Sequence, residues 1–472
     1  MVFSSETFLF LFLPGFLALY FLTPWRWKSA TLLAGSYVFY AWWRLDFLAL
    51  LVGTTLWAFG IGRMIRHTEG RARKFWCALG VTGCLGVLGL FKYLDFFVAS
   101  LAGLFGTTPE ALGMHWQILL PIGISFYVFQ SVSYLVDTYR GDAPEDVRLL
   151  DFAAFIALFP QLIAGPILRY KDLADQFRER HHSMENVTSG MIRFFIGLSK
   201  KVLLADAVAP LADLAFATQN PSMALAWAGA VAYMLQLYFD FSGYSDMAIG
   251  LGRMMGFRFI ENFDLPYHAR SITEFWRRWH ISLSVWLRDY LYIPLGGNRR
   301  GRLRTYVNVV AVMVLGGLWH GAAWTFVLWG AWHGLWMAGE RATGRDRAAG
   351  LAPLVRTLLV VLFGWVLFRA PDLGTAGQVL AGMAGAHGLA LSPVAAFEIS
   401  GESLLFTALA AGVVLIEPAL RGLVHRRLMP RADGTLTLAS ALAPSVLVSG
   451  LAALTLMKLA EQSFSPFLYF QF

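Results

Sequence analysis

From Phe8 to the carboxyl end of this 472-residue chain, apolar runs recur with no long polar block between them. Backbone amides cannot stay unbonded in hydrocarbon, so only helices or a closed barrel can span a membrane. The runs have the roughly 17 to 25 residues of a helix that crosses a bilayer and are too long for barrel strands. Candidate spans lie near residues 8–24, 29–43, 46–62, 75–95, 117–136, 151–168, 189–216, 224–250, 306–340, 352–368, 400–420 and 436–458. Some are long enough for two passes and others short enough to be re-entrant, so about 10 to 12 crossings are expected. Proline or glycine interrupts several of them, at Pro14, Pro121-Ile122-Gly123, Phe159-Pro160 and Gly165-Pro166. Backbone groups freed there persist at membrane depth only against protein or a water-filled cavity.

Composition agrees, with 57% hydrophobic and 14% charged residues against about 25% charged in a soluble domain. The fold class expected is therefore an all-α polytopic membrane protein. Length alone would suggest two or three soluble domains, but the unbroken apolar pattern reads as one membrane domain over 1–472. Within it we distinguish N-terminal spans (1–116), a catalytic core (117–340) and C-terminal spans (341–472). Met1 to Thr7 carries Glu6 and no basic residue, so the first span is expected to stay as an anchor and not to be cleaved as a signal peptide. Ala342 to Gly350 and Arg421 to Gly434 read as polar linkers. The only cysteines, Cys77 and Cys84, lie two helical turns apart, roughly 10 Å and too far for a disulfide. No metal site is expected.

Charge gives direction. Arg26 and Lys28 follow the first span, and Arg63, Arg66, Arg71, Arg73 and Lys74 follow the third, so both loops should be cytoplasmic and the amino terminus should face outward. Eight arginines between Arg270 and Arg304 stand against Glu274 and Asp289 alone, a net of six positive charges. That cluster reads either as an orienting loop touching anionic lipid or as a clamp for a phosphate-bearing donor through Arg288, Arg299 and Arg300, since guanidinium is a forked, permanently charged donor. No nucleic-acid partner is expected.

The chemistry is narrowed first by what is missing. No GxSxG elbow, Walker loop, HExxH helix or dinucleotide-binding glycine pattern is present, and none of the ten histidines has an aspartate five residues on. What remains is Gly316-Gly317-Leu318-Trp319-His320-Gly321-Ala322-Ala323-Trp324, where small residues let helices or a ligand approach one histidine closely. An ionisable residue at membrane depth is a functional candidate and imidazole is the natural base near neutral pH, so His320 leads. The plainer reading is a hydrogen-bonded packing residue. His280, in Trp276-Arg277-Arg278-Trp279-His280-Ile281-Ser282, is either a second polar group of the site or an interfacial histidine. Its segment, Ser271 to Leu295, carries Phe275, Trp279, Ser282 and Trp286 at helical spacing and is expected at the interface or dipping inward. His333 would lie roughly 20 Å from His320 along a straight helix and reach the same atom only if the helix breaks, as Gly330 allows. Asp240 and Asp246, in the island Gln236 to Asp246, would put two carboxylates at membrane depth and need a partner arginine or histidine.

The runs MVFSSETFLFLFLP, SYVFYAWWRLDFLAL, LLPIGISFYVFQSVSYLVDTYRGD, FPQLIAGPILRYKDLADQF, QLYFDFSGYSDMAIGLG, ENFDLPY, SITEFWRRWHISLSVWLRDYLYIPLGGN and GGLWHGAAWTFVLWGAWHG together resemble the membrane-bound O-acyltransferase (MBOAT) family, over most of the chain to about Glu340. After Glu340 only the apolar character and the ending Ser465 to Phe472 carry the likeness. The resemblance implies a ring of tilted helices around a central funnel, with re-entrant or interfacial helices. It places the essential histidine on His320 and the second polar position on His280. Asp240, Trp319 and Trp324 join the three arginines as candidates for binding substrate or donor. It implies acetyl transfer across the bacterial inner membrane from a cytoplasmic thioester, acetyl-CoA, with no bound cofactor. The acceptor implied is an exopolysaccharide, alginate, reached through periplasmic acetylation proteins of the AlgJ, AlgX and AlgF type. Cellulose or peptidoglycan as acceptor, and a non-catalytic transporter or flippase of acyl groups, stay open as alternatives.

Overall fold

The computed structural model describes residues 1–114, 118–163, 165–428, 438–461 and 467–468, and among these residues helices are the only regular secondary structure. A π-helical turn, Thr7–Phe12, runs into α1 (Leu13–Leu22), which α2 (Lys28–Ala41) and α3 (Leu45–Arg66) follow through short connections. Next, α4 (Gly70–Leu88), a π-helical turn at Gly89–Tyr93 and α5 (Leu94–Leu104) form one continuous rod. Against α3 and α4 packs α6 (Ile124–Arg140), followed by the short α7 (Leu149–Ala157), α8 (Phe159–Leu162) and α9 (Tyr170–Arg178). Then α10 (Met184–Ser199), a π-helical turn at Lys200–Ala205 and α11 (Asp206–Ala217) pack on α12 (Met223–Met254).

Among the described residues four apolar helices have the length to cross a bilayer: α3, the α4–α5 rod, Leu351–Arg369 and Gly401–Leu420. Helices such as α6 and α12 carry serines, tyrosines and aspartates, but most of their residues are buried in protein, where such groups can find partners. The chain is an all-α polytopic membrane protein.

Chain breaks in the second half set the site. Ser271 to Leu295 does not form one helix. It forms α13 (Ile272–Arg278) and α14 (Ile281–Leu287), the latter continued by a π-helical turn at Arg288–Tyr292. His280 separates them in a left-handed conformation, φ 44°. Phe275, Trp279, Ser282 and Trp286 are all buried, so the segment dips inward. The 306–340 candidate likewise splits into α15 (Arg302–His320) and α16 (Trp324–Ala342), a tight hairpin in which a Cβ on Gly317 or Gly330 would collide with the backbone of the other helix. The break falls at Gly321–Ala323, not at Gly330. His320 and His333 are consequently not separated by a straight helix: the Trp329 ring stands between them, 5.1 Å from one imidazole and 5.2 Å from the other.

The chain continues as α17 (Leu351–Arg369), α18 (Leu373–Met383), α19 (Pro393–Glu398), α20 (Gly401–Leu428) and α21 (Leu438–Glu461). Ala342 to Gly350 is the expected connection, with one 3-10 turn. Arg421 is not the start of a linker, because α20 continues through Leu428; residues 429–434 lie outside the described residues, as does most of the run Ser465 to Phe472. The span expected from 117 starts as a helix only at Ile124, after Gly123 at φ 77°.

The two carboxylates, Asp240 buried and Asp246 half-buried, find lysines as well as an arginine. Asp246 meets Arg193 at 2.9 Å and Lys200 at 2.7 Å, and Asp240 meets Lys201 at 2.9 Å. Both lysines stand on the 200–205 π-helical turn.

Candidate active site

Two ends of the bundle differ in chemistry. At one end Arg66 bonds the Tyr134 hydroxyl, Arg140 the Asp289 carbonyl at 3.1 Å, and Arg169 the Asp289 carboxylate at 2.8 Å. Burial pushes the Asp289 carboxyl up, but the hydrogen-bonded Arg288 guanidinium together with Arg169 and Lys171 holds it below the ordinary carboxylate range. At the other end Met1, Trp42, Phe47 and Leu119 come together around a cavity of about 700 Å³. The remaining walls include Tyr40, Lys92, Ser125, Phe126, Trp319 and His320. Since α6 and α15 each run from the basic end to this cavity, His320 is delivered to it as the last residue of α15.

His320 is 4% exposed and is boxed by the rings of Trp319, Trp329 and Phe368 at 5.0, 5.1 and 5.3 Å. His280, fully buried, lies 6.3 Å from it between ring centroids. The two meet because the descending limb starts at His280, the α14 N-cap, and the ascending limb ends at His320. His280 is held by a relay of hydrogen bonds: the Ile167 amide donates to Ser282 Oγ at 2.9 Å, Ser282 Oγ donates to Asn262 Oδ1 at 2.9 Å, and His280 Nδ1 meets the same oxygen at 3.2 Å. A carbonyl-type oxygen only accepts, so in this arrangement the imidazole hydrogen resides on Nδ1 and Nε2 carries the lone pair. Phe241 packs edge-on against His280 at 4.7 Å.

Of the other candidates, Trp319 is buried between Phe126 and Phe129 and lines the cavity. Trp324 is 53% exposed and packs on Phe96, outside the cavity lining. Asp240 neighbours Phe241, but its oxygens go to Lys201 and to the Leu468 amide at 2.9 Å. Arg288 pairs with Asp289 at 2.7 Å. Arg299 and Arg300 are exposed in the turn before α15, roughly 28 Å along the helix from His320. Three residues outside the sequence-based candidates enter the site: Lys92 and Tyr93, which bond the end of α15, and Asn262. Among the described residues no three of His, Cys, Asp or Glu converge as metal ligands.

A histidine pair at the meeting point of two broken helices, beside a cavity in an all-helical bundle, sets two ionisable rings inside an integral membrane protein. The model of the MBOAT, membrane-bound O-acyltransferase, family matches residues 124–361. The chain is 50% identical to the probable alginate O-acetylase AlgI of Pseudomonas putida over the full length of both, and 50% identical, again over both full lengths, to the probable alginate O-acetylase AlgI of Azotobacter vinelandii. It is 37% identical to the peptidoglycan O-acetyltransferase of Helicobacter pylori, over 83% of this chain and 81% of that one. The chain belongs to the membrane-bound O-acyltransferase family, and it is an acyltransferase.

Proposed function

We propose that this chain is an O-acetyltransferase of the bacterial inner membrane that takes acetyl from cytoplasmic acetyl-CoA and delivers it to a hydroxyl on the outer side. The end acceptor is an exopolysaccharide, alginate, and periplasmic proteins of the AlgJ, AlgX and AlgF type carry the later steps. The acceptor rests on likeness to two proteins named as probable alginate O-acetylases. The site assignment rests on one observation: His320 lines a cavity at the end of the bundle opposite the basic loops, the end that a cytoplasmic position for those loops would turn outward.

His320 removes the hydroxyl proton as that oxygen attacks the thioester carbonyl. The carbon–sulfur bond breaks, the acetyl ester forms, and the imidazolium returns the proton to the departing thiolate. His280, with its hydrogen held on Nδ1, presents Nε2 as an acceptor. As a neutral ring it orients a donor hydrogen and does not stabilise the carbonyl oxygen. Arg299 and Arg300 bind the phosphates of the donor, whose acetyl sulfur sits on a long arm, as the distance along α15 requires. Arg288, engaged by Asp289, fits that role less well. Peptidoglycan is the second acceptor, favoured by the Helicobacter relative. Membership of an acyltransferase family stands against the transporter reading.

The test is His320→Ala in the full-length protein at equal membrane level. Acetylation of the exported polymer and thioester cleavage by the purified protein should both fall roughly 10²- to 10⁴-fold, the usual reach of general acid–base catalysis. Retained cleavage would remove His320 from the mechanism.

A further inference from the structure

We propose that Lys92 and Tyr93 are positioning residues for His320; this rests on the reading of His320 as the base. Both stand on the π-helical turn Gly89–Tyr93 that joins α4 to α5. Lys92 Nζ donates to the carbonyl of Trp319 at 2.6 Å and to that of His320 at 3.1 Å, and reaches Ser125 Oγ at 3.4 Å. The Tyr93 hydroxyl donates to the carbonyl of Leu318 at 2.8 Å. Because α15 ends at His320, these are its last three carbonyls, which lack a partner one turn further on.

Freed backbone carbonyls at membrane depth persist only against protein or a water-filled cavity. The chain extends at Gly321 and starts α16 at Trp324, so a neighbouring helix supplies the bonds. A cation is the fitting donor, since the partial negative charge of the helix collects at this end and charge-assisted hydrogen bonds are the stronger kind. The wider π-helical turn lets two adjacent side chains reach one helix terminus, and such turns recur at functional sites. Lys92 and His320 also line the same cavity, so the bonds that fix the last turn of α15 fix the imidazole where an acceptor would enter. The ammonium is committed to the chain's own oxygens, which assigns it to holding the base in place.

The experiment uses the purified full-length protein and two readouts. One is cleavage of acetyl-CoA. The other is the rate at which diethyl pyrocarbonate modifies His320, read by peptide mass spectrometry, which does not depend on turnover. Lys92→Met should lower kcat roughly 10- to 100-fold, the scale of a misplacement near 1 Å, with KM for acetyl-CoA unchanged and the modification rate of His320 altered. Lys92→Arg, which keeps the charge and the donors, should recover most of kcat. Tyr93→Phe, which removes one oxygen, should give a smaller loss of the same kind and decides the matter if Lys92→Met does not fold. Parent kcat and parent modification rate in these variants would overturn the proposal, as would a raised KM at unchanged kcat, which would make Lys92 a donor ligand. If His320→Ala still cleaves acetyl-CoA, the base assignment fails, and the modification rates still decide whether Lys92 and Tyr93 set the ring.

Discussion

The imidazoles of His280 and His320 stand 6.3 Å apart, centroid to centroid, with their planes inclined by 66°. Each occupies the end of a helix. One is left-handed at an N-cap and the other closes a C-terminus, so two chain breaks produce one pair.

Asn262 accepts the His280 hydrogen bond, so it determines which nitrogen of that ring bears the proton. Asn262→Leu should lower acetyl transfer by about 1–3 kcal/mol, the cost of an unsatisfied buried group, or roughly fivefold to 150-fold in rate. Kinetics of the purified variant at parent thermal stability check this. Parent rates would show that the tautomer of His280 has no bearing on turnover.

Asp240 is a structural anchor in this fold. Lys201, 3% exposed, bridges it and Asp206, and removing one partner of a buried pair costs about 3–5 kcal/mol. Lys201→Met should therefore lower the thermal midpoint in detergent sharply, and the double change with Asp240→Leu should recover much of it. KM for acetyl-CoA should be the same in the double variant as in the parent. A higher KM at restored stability would return Asp240 to the donor site.

Charge reversal at Arg299 and Arg300 should raise KM for acetyl-CoA roughly tenfold, a loss of about 1.4 kcal/mol in binding, with kcat and membrane insertion unchanged. Distance is the reason: the length of α15, roughly 28 Å, lies between these side chains and His320. Initial-rate kinetics on membranes carrying each variant distinguish the outcomes, and an unchanged KM would reduce both arginines to orienting charges.

Much of the architecture was legible in the chain because the bilayer restricts the alternatives. Length and apolarity placed α1, α3, α12 and α17 close to their observed positions, and the small residues around His320 singled out the histidine that lines the cavity. Lys92 carried a signal too, as an ionisable residue inside the apolar run Gly89–Ala102, but no periodicity separates it from its neighbours. The left-handed turn at His280 had no such signal, since helical spacing continues across it from Phe275 to Trp286.

By itself the sequence determined an all-helical membrane protein, the approximate extent of its spans and which histidine to suspect. Those properties depend on local composition and on the hydrogen-bonding demands of backbone in hydrocarbon. Tertiary structure alone decided the partnerships: Lys201 with Asp240, Asn262 with His280, and Lys92 and Tyr93 with the end of α15. Periodicity reports which face of a helix is apolar, whereas a contact between helices far apart in the chain depends on where each one breaks and how closely they pack.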